Sequence, residues 1–244
     1  PGLFPGGISH AEWNRLLNAS DAPLVNKAIA GQYAPGSTFK MLVALAGLES
    51  GQITTQTNFH CSGMLEFGNG RFHCWHRSGH GRMDMHSAIV QSCDIYFYEI
   101  ARRIGIERIA AVARKFGLGS RLGIDLPGEQ PGLIPDKDWK RERFGTAWQA
   151  GESLIAGIGQ GYVLTTPLQL AAMTAALVNG GKAVRPTVTA LTPQHLPDSI
   201  ALELPPSGLD TIRKAMVGVT TEQAGTASGA QITHERFQMG GKTG

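Results

Sequence analysis

No uninterrupted apolar run in the 244-residue sequence approaches the roughly eighteen residues that would mark a membrane-spanning helix. The chain also lacks a basic-apolar-small leader, and it opens on Pro1 and Gly2 without an initiating methionine. The expectation is a piece of a larger protein whose targeting or anchoring segment lies upstream. Charge of one sign is scarce as well. The formal net charge is +3 and no Lys/Arg run exceeds two residues, which leaves no electrostatic footprint for nucleic acid. Cysteine is rarer still: Cys61, Cys74 and Cys93 are the three in the chain, an odd number that cannot pair off internally. There is no internal repeat and no low-complexity segment. Glycine, by contrast, is plentiful at 32 residues, which implies turns and close backbone approaches rather than disorder. The composition is otherwise that of a globular protein with a sizeable core, 42% hydrophobic and 17% charged.

Apolar periodicity predicts a helix from Ser37 to about Ser50, apolar on nearly all faces and stopped by Gly51. Further helices are expected over "DMHSAIVQ" and "IYFYEIARRIG", interrupted by "SCD", then over "IERIAAVARKFGLG" and "LDTIRKAMVGVTT". The cleanest is "TTPLQLAAMTAALVNGG", with Thr165 or Thr166 as its cap and Pro167 in its first turn. A short amphipathic stretch, "SHAEWNRLLNA", lies near the start. Residues 52–82 show no clear period, and residues 119–160 read as mostly loop. A short strand is expected in "VRPTVTALT" with Pro186 at an edge, and another begins in "RFQMGGKTG".

The chemistry concentrates at Ser37 and Lys40. Three residues apart on a helix, they share a face, about 5–6 Å apart at Cβ. A serine hydroxyl attacks only once its proton is taken, and a lysine desolvated or crowded by another cation can give up its own proton and serve as that base. Taken alone, S-x-x-K is a weak signal and reads more readily as a serine helix cap beside a lysine snorkelling from the first turn. It is followed, however, by Ser92-Cys93-Asp94 and by Lys242-Thr243-Gly244. Ordered S-x-x-K, S-x-[ND] and K-T-G are the signature of penicillin-interacting serine enzymes. Ser92 can relay a proton between Lys40 and a leaving amine. Asp94 can accept hydrogen bonds from Lys40 or a substrate amide. Lys242 and Thr243 can hold a substrate carboxylate, and Gly244 lets the substrate lie flat along a strand.

"GQYAPGSTFK", "GHGRMDMHSAIVQSCDIYFYEIA", "GIDLPGEQPGLIP", "GIGQGYVLTTPLQLA" and "GGKTG" together resemble the transpeptidase domain of class B penicillin-binding proteins. The GHG tripeptide and the aspartate at Asp94 resemble their elongation branch, penicillin-binding protein 2. The resemblance spans nearly all of residues 1–244, read as one partial transpeptidase domain ending at K-T-G. It implies an α/β (α+β) penicillin-binding-protein and serine β-lactamase-like fold, here mostly its helical part. It also implies a peptidoglycan D,D-transpeptidase: Ser37 attacks the D-Ala-D-Ala carbonyl of one stem peptide, and an amino group of a second takes the acyl group. β-Lactams would acylate the same serine. Implied too are a periplasmic location, an inner-membrane anchor elsewhere in the protein, and a glycan polymerase and scaffold proteins of the elongation machinery as partners. In the family the second oxyanion-hole N–H comes from the residue after K-T-G, and the sheet uses strands outside Pro1–Gly244. The chain by itself is therefore expected to be inactive.

Residues 60–86 hold His60, Cys61, His73, Cys74, His76, His80 and His86, which include five of the eight histidines, and Cys93 follows. Three thiolates and one imidazole make a closed tetrahedral zinc set. The resemblance assigns that set to Cys61, Cys74, His80 and Cys93, with His76 in reserve and a structural role for the Zn²⁺. One disulfide plus a free thiol, and Cys93 as packing alone, are the alternatives. His10, His195 and His234 are read as surface residues, and Trp13, Trp75 and Trp139 as packing anchors. Trp148 is read as an anchor or a cleft wall, and Gln160 as lining the pocket. Asp125 and Glu129 are read as turn caps. A serine β-lactamase shares the motifs but needs a deacylating carboxylate, for which Glu129 and Glu152 are the candidates. A D,D-carboxypeptidase using water, and a non-catalytic β-lactam sensor or scaffold, complete the alternatives.

Overall fold

The computed structural model describes residues 2, 4–189, 200–232, 234 and 236–244. His195 and the end of "VRPTVTALT" lie outside the described residues. No helix among them is long and apolar enough to cross a membrane.

At the centre is α3 (Lys40–Glu49), entered through a 3-10 turn, Gly36–Phe39. Its residues from Lys40 to Gly47 are all buried, as an apolar pattern without a polar face requires. It packs most extensively on α5 (Asp94–Lys115), and also on α9 (Pro206–Thr221), which in turn covers α4 (Met85–Val90). Gly105, at φ +73°, breaks α5 into the two helices the sequence predicts. α8 (Pro167–Val178) starts where expected: the Thr166 hydroxyl accepts from the Gln169 N–H, and Pro167 sits in the first turn. α1 (His10–Leu17) and α2 (Lys27–Ala30) complete the N-terminal part.

Four expectations change. Residues 52–82 contain β1 (Phe59–Cys61), β2 (Met64–Phe67), β3 (Gly70–His73) and β4 (Gly81–Met83), as two antiparallel pairs, β1 with β4 and β2 with β3. Strands of three or four residues are too short to establish a period, but Gly68-Asn69 between Phe67 and Gly70 is a two-residue hairpin signal. The 119–160 segment carries α6 (Lys137–Phe144) and α7 (Ala150–Ala156). α6 is polar on most faces and is held by its Asp136 cap, so its apolar stripe was faint. Residues 184–189 form no strand; the Asp125 carboxylate accepts from the Val188 and Thr189 N–H groups at 2.8 and 3.1 Å and holds this stretch as a loop. Residues 236–244 also run without strand pairing among the described residues.

Candidate active site

Ser37 lies in the 3-10 turn one residue past Gly36, whose φ is +55°. The turn is clasped by Gly159: the Gly36 N–H donates to the Gly159 carbonyl at 2.9 Å, and a Cβ on Gly159 would stand 2.2 Å from the Gly36 oxygen. Only glycine at 159 permits this approach. The clasp brings Gln160 beside Ser37 in an open cleft of about 570 Å³. Ser92, Asp94, Thr243 and Gly244 line the same cleft, together with Trp75, Arg77 and Thr226. Among the described residues the Ser37 hydroxyl has no hydrogen-bond partner.

Lys40 is fully buried beneath. Its Nζ donates to Asp94 Oδ1 at 2.6 Å, to the Ser92 carbonyl at 2.8 Å and lies 3.2 Å from Ser92 Oγ. These acceptors match the three protons of an ammonium, so the position is satisfied rather than orphaned. Burial nonetheless lowers the Lys40 pKa, outweighing the Asp94 charge that raises it. In the neutral form the amine keeps two donors and turns its lone pair to the Ser92 hydroxyl.

Ser92 is held by the end of α4. The Cys93 N–H reaches the Ala88 carbonyl at 2.9 Å and the Ser92 N–H reaches that of Ile89 at 3.2 Å, a Schellman closure with Ser92 in the left-handed position at φ +55°. That position usually goes to glycine. A serine there carries backbone strain of about 1 kcal/mol, retained where a hydroxyl is needed.

Asp94 uses its second oxygen as well: Oδ2 accepts from the Trp75 N–H at 2.8 Å. Trp75 is thereby fixed at the cleft, and its indole N–H donates to the Gln91 carbonyl at 3.0 Å. It is 56% exposed, so it is a cleft wall and not a packing anchor. Trp148 takes the anchoring role instead, with its indole N–H on Ser153 Oγ at 2.9 Å. Trp13 is exposed.

Next to Thr243, the Lys242 ammonium donates to the Thr243 carbonyl at 3.0 Å and lies 3.4 Å from Thr243 Oγ1. Burial, with the nearby Lys40 charge adding to it and Asp94 opposing, holds the Lys242 pKa down at about 7. A bound carboxylate would return its proton. Thr226, which the sequence reading did not single out, places its Oγ1 2.8 Å from Thr243 Oγ1 and its N–H on the Val90 carbonyl at 3.3 Å. Thr243 has one hydroxyl proton and two lone pairs. When Thr226 is the donor of that shared hydrogen bond and Lys242 fills the other lone pair, the Thr243 proton is free to face the cleft. The Thr226 signal is only the short loop after a helix, invisible without its neighbours.

The three thiols are free and buried. Cys61, Cys74, His80 and Cys93 bring their donor atoms within 4.8 Å of one another, and His80 Nδ1 stands 3.5 Å from both Cys61 Sγ and Cys74 Sγ. The sulfur–nitrogen edge of a tetrahedral zinc site is about 3.6 Å. The hydrogen bond between Cys74 and Cys93 lowers the Cys74 thiol pKa against burial and, together with burial, raises that of Cys93, so the two sulfurs share one proton. The β1–β4 register, Cys61 opposite Gly81, is what carries His80 to Cys61. His76 stays outside the set, with Nδ1 3.0 Å from the Gly79 carbonyl.

Neither β-lactamase candidate reaches the cleft. Glu129 accepts from the Leu122 and Gly123 N–H groups at 2.6 and 3.0 Å, and Glu152 pairs with Lys140 and caps α7. His10 and His234 are exposed.

The profile of the penicillin-binding protein transpeptidase domain family matches residues 9–244. The chain belongs to that family. Among curated relatives, the peptidoglycan D,D-transpeptidase MrdA of Acinetobacter baumannii is 37% identical, aligned over 100% of this chain and 37% of its own length. The penicillin-binding protein 2 of Helicobacter pylori, solved in complex with MreC, superposes with a TM-score of 0.86 at 34% identity, covering 94% of this chain and 43% of that one. That of Pseudomonas aeruginosa, solved with WCK 5153, gives 0.83 at 38% identity, covering 91% and 52%. The penicillin-binding-protein transpeptidase fold expected from the sequence is therefore the fold found. The chain spans only about a third of the length of the curated relatives it matches.

Proposed function

We propose that the protein carrying this domain is a peptidoglycan D,D-transpeptidase. The observation that carries the reading is the buried Lys40–Ser92–Asp94 network, whose Ser92 and Asp94 line one cleft with Ser37 and Thr243. Neutral Lys40 takes the Ser37 proton as Oγ attacks the penultimate D-Ala carbonyl carbon of a stem peptide. The tetrahedral intermediate collapses with cleavage of the peptide C–N bond. Lys40 returns the proton through the Ser92 hydroxyl to the departing D-Ala amine. A second stem peptide then offers an amine to the Ser37 ester; its proton passes to Lys40 and on to Ser37 Oγ as the ester breaks, leaving a cross-link and free enzyme. Lys242 and Thr243 bind the terminal carboxylate of the donor, and Asp94 holds Lys40 in place.

Zn²⁺ fits Cys61, Cys74, His80 and Cys93, and its chemistry there is structural cross-linking by a closed ligand set. Cys93 lies between Ser92 and Asp94, and Cys74 precedes the Trp75 N–H that holds Asp94, so the site would tie both loops to the network. The anchor in an inner membrane, the periplasmic setting, and a glycan polymerase and scaffold as partners belong to the same reading. The complex of the Helicobacter relative with MreC supports the scaffold.

Full-length protein incubated with a fluorescent penicillin is expected to carry a long-lived adduct, located to Ser37 by mass spectrometry and absent in Ser37→Ala. Rapid hydrolysis of nitrocefin would instead indicate a β-lactamase, a reading disfavoured by the positions of Glu129 and Glu152. Product analysis with two stem peptides separates transpeptidation from carboxypeptidation, and linkage to a signalling domain would mark a sensor. Thr226→Val, which deletes one hydrogen bond to Thr243 Oγ1, is expected to slow acylation by a carboxylate-bearing penicillin about tenfold, and Thr226→Ser to restore it. Equal rates in wild type and Thr226→Val would remove Thr226 from the site.

A further inference from the structure

The reaction above leaves Lys140 without a part. This lysine of α6 is almost fully enclosed, and its ammonium meets both oxygens of Glu152 in the first turn of α7. Glu152 Oε2 also accepts from the Gln149 N–H at 2.6 Å, so one carboxylate both caps α7 and fastens it to α6. A buried ion pair gains little net stability over apolar side chains of the same volume, because desolvation offsets the attraction. What it can supply is a single permitted geometry.

The pair closes a triangle of helices. α6 is tied to the second half of α5, past the break at Gly105: Arg114 donates to Asp136 Oδ2 at 2.6 Å, and the Lys137 N–H to Glu107 Oε1 at 3.1 Å. α7 lies on the first half, so closely that a Cβ on Gly157 would stand 2.6 Å from the Ala101 Cβ. Lys140 and Glu152 join the two. The far end of α7 is the part that touches the nucleophile's turn. There the Gly157 N–H donates to the Ser153 carbonyl at 2.8 Å, that of Ile158 to Ile155 at 3.2 Å and that of Gly159 to Ala156 at 2.9 Å, so the chain through Gly159 moves as one piece with the helix. The Gly159 carbonyl in turn accepts from the N–H of Gly36, the residue before Ser37, at 2.9 Å. A displacement of α7 is therefore a displacement of the Ser37 turn.

We infer that Lys140 and Glu152 are positioning residues for Ser37, acting through α7 and the Gly159 carbonyl. This rests on the reading of Ser37 as the nucleophile and adds to it the strut that sets the nucleophile's place. A misplacement on the order of 1 Å at an attacking atom costs about 10²-fold in rate. The Lys242-Thr243 grip belongs to a different segment, so the chemical step suffers when the strut is cut, and binding does not.

Saturation kinetics of penicillin acylation, measured on the full-length protein, separate the dissociation constant from the rate constant of acyl transfer. Lys140→Met is expected to lower that rate constant about tenfold and to leave the dissociation constant within about twofold of wild type. Its Tm falls too, because Glu152 is left without its cation. Lys140→Met/Glu152→Gln removes the stranded charge and keeps an acceptor for the Gln149 N–H, and it is expected to regain the Tm but not the rate. Leu177→Ala, in the buried face of α8 and outside the cleft lining, lowers Tm by cavity formation and is expected to acylate at the wild-type rate. A wild-type rate constant in Lys140→Met overturns the inference, as does a loss confined to the dissociation constant. So does a double variant that recovers rate and Tm together, or a Leu177→Ala slowed as much as Lys140→Met, since either reduces the pair to a stabilising role. Where Lys140→Met does not fold, the double variant decides by the same two readouts. Wild type that forms no penicillin adduct overturns the reading of Ser37 itself, and this inference with it.

Discussion

Lys40→Met is expected to slow penicillin acylation of Ser37 by roughly 10³-fold, within the range of about 10²–10⁴ for loss of a positioned general base. Methionine fills the space of the lysine stem but can neither accept the serine proton nor hand one to Ser92. Wild-type acylation should rise with pH as buried Lys40 loses its proton, and the variant's profile should lose that limb. Stability moves too, for a separate reason. The Asp94 side chain is 12% exposed, and without the amine it retains the Trp75 N–H but no cation. Breaking such a buried pair from one side costs about 3–5 kcal/mol, or about 10 °C in Tm for a domain of this size. Lys40→Met/Asp94→Asn removes the stranded charge and should regain much of that Tm while remaining unlabelled. Labelling of Lys40→Met at the wild-type rate would refute the role given to this amine.

Chelation is expected to lower Tm and acylation together. Metal analysis of the intact protein should return one zinc per chain, lost after treatment with a strong chelator. Removing the ion leaves three buried thiols and an imidazole whose Nε2 already has no partner among the described residues. A loss of about 3 kcal/mol, small beside the free energy of a structural zinc site because a packed core remains, corresponds to about 10 °C. Acylation should fall about tenfold or more, the scale seen when groups that orient a site are removed. The path is short: Cys74 positions the Trp75 N–H, that N–H holds Asp94, and Asp94 holds Lys40. Confirmed metal loss with unchanged acylation would eliminate the positioning role while leaving a stabilising one.

The motif residues were legible because their chemistry is local or ordered. Ser37 and Lys40 are one helical turn apart, and Thr166-Pro167 marks a helix start with its own cap. Trp75 misled the sequence reading because tryptophan is ordinarily a core residue, and nothing nearby in the chain reveals that its backbone N–H is bound to Asp94, 19 residues on. Thr226 was hidden for the same reason: it touches Thr243 across 17 residues and Val90 across a helix pair. The four short strands fell below the length at which alternation can be counted.

Residue types and spacing determined the family, and they singled out the candidate nucleophile and base, the candidate carboxylate grip and the candidate metal ligands, since each depends on side-chain chemistry read in order along the chain. Tertiary structure alone decided how Lys40 is satisfied, why Ser92 occupies a strained left-handed turn, that Cys61 meets His80 across β1 and β4, and that Arg77 and Thr226 share the cleft with Ser37. Those facts arise from contacts between segments tens of residues apart. Packing geometry fixes such contacts, and no local pattern in the sequence records them.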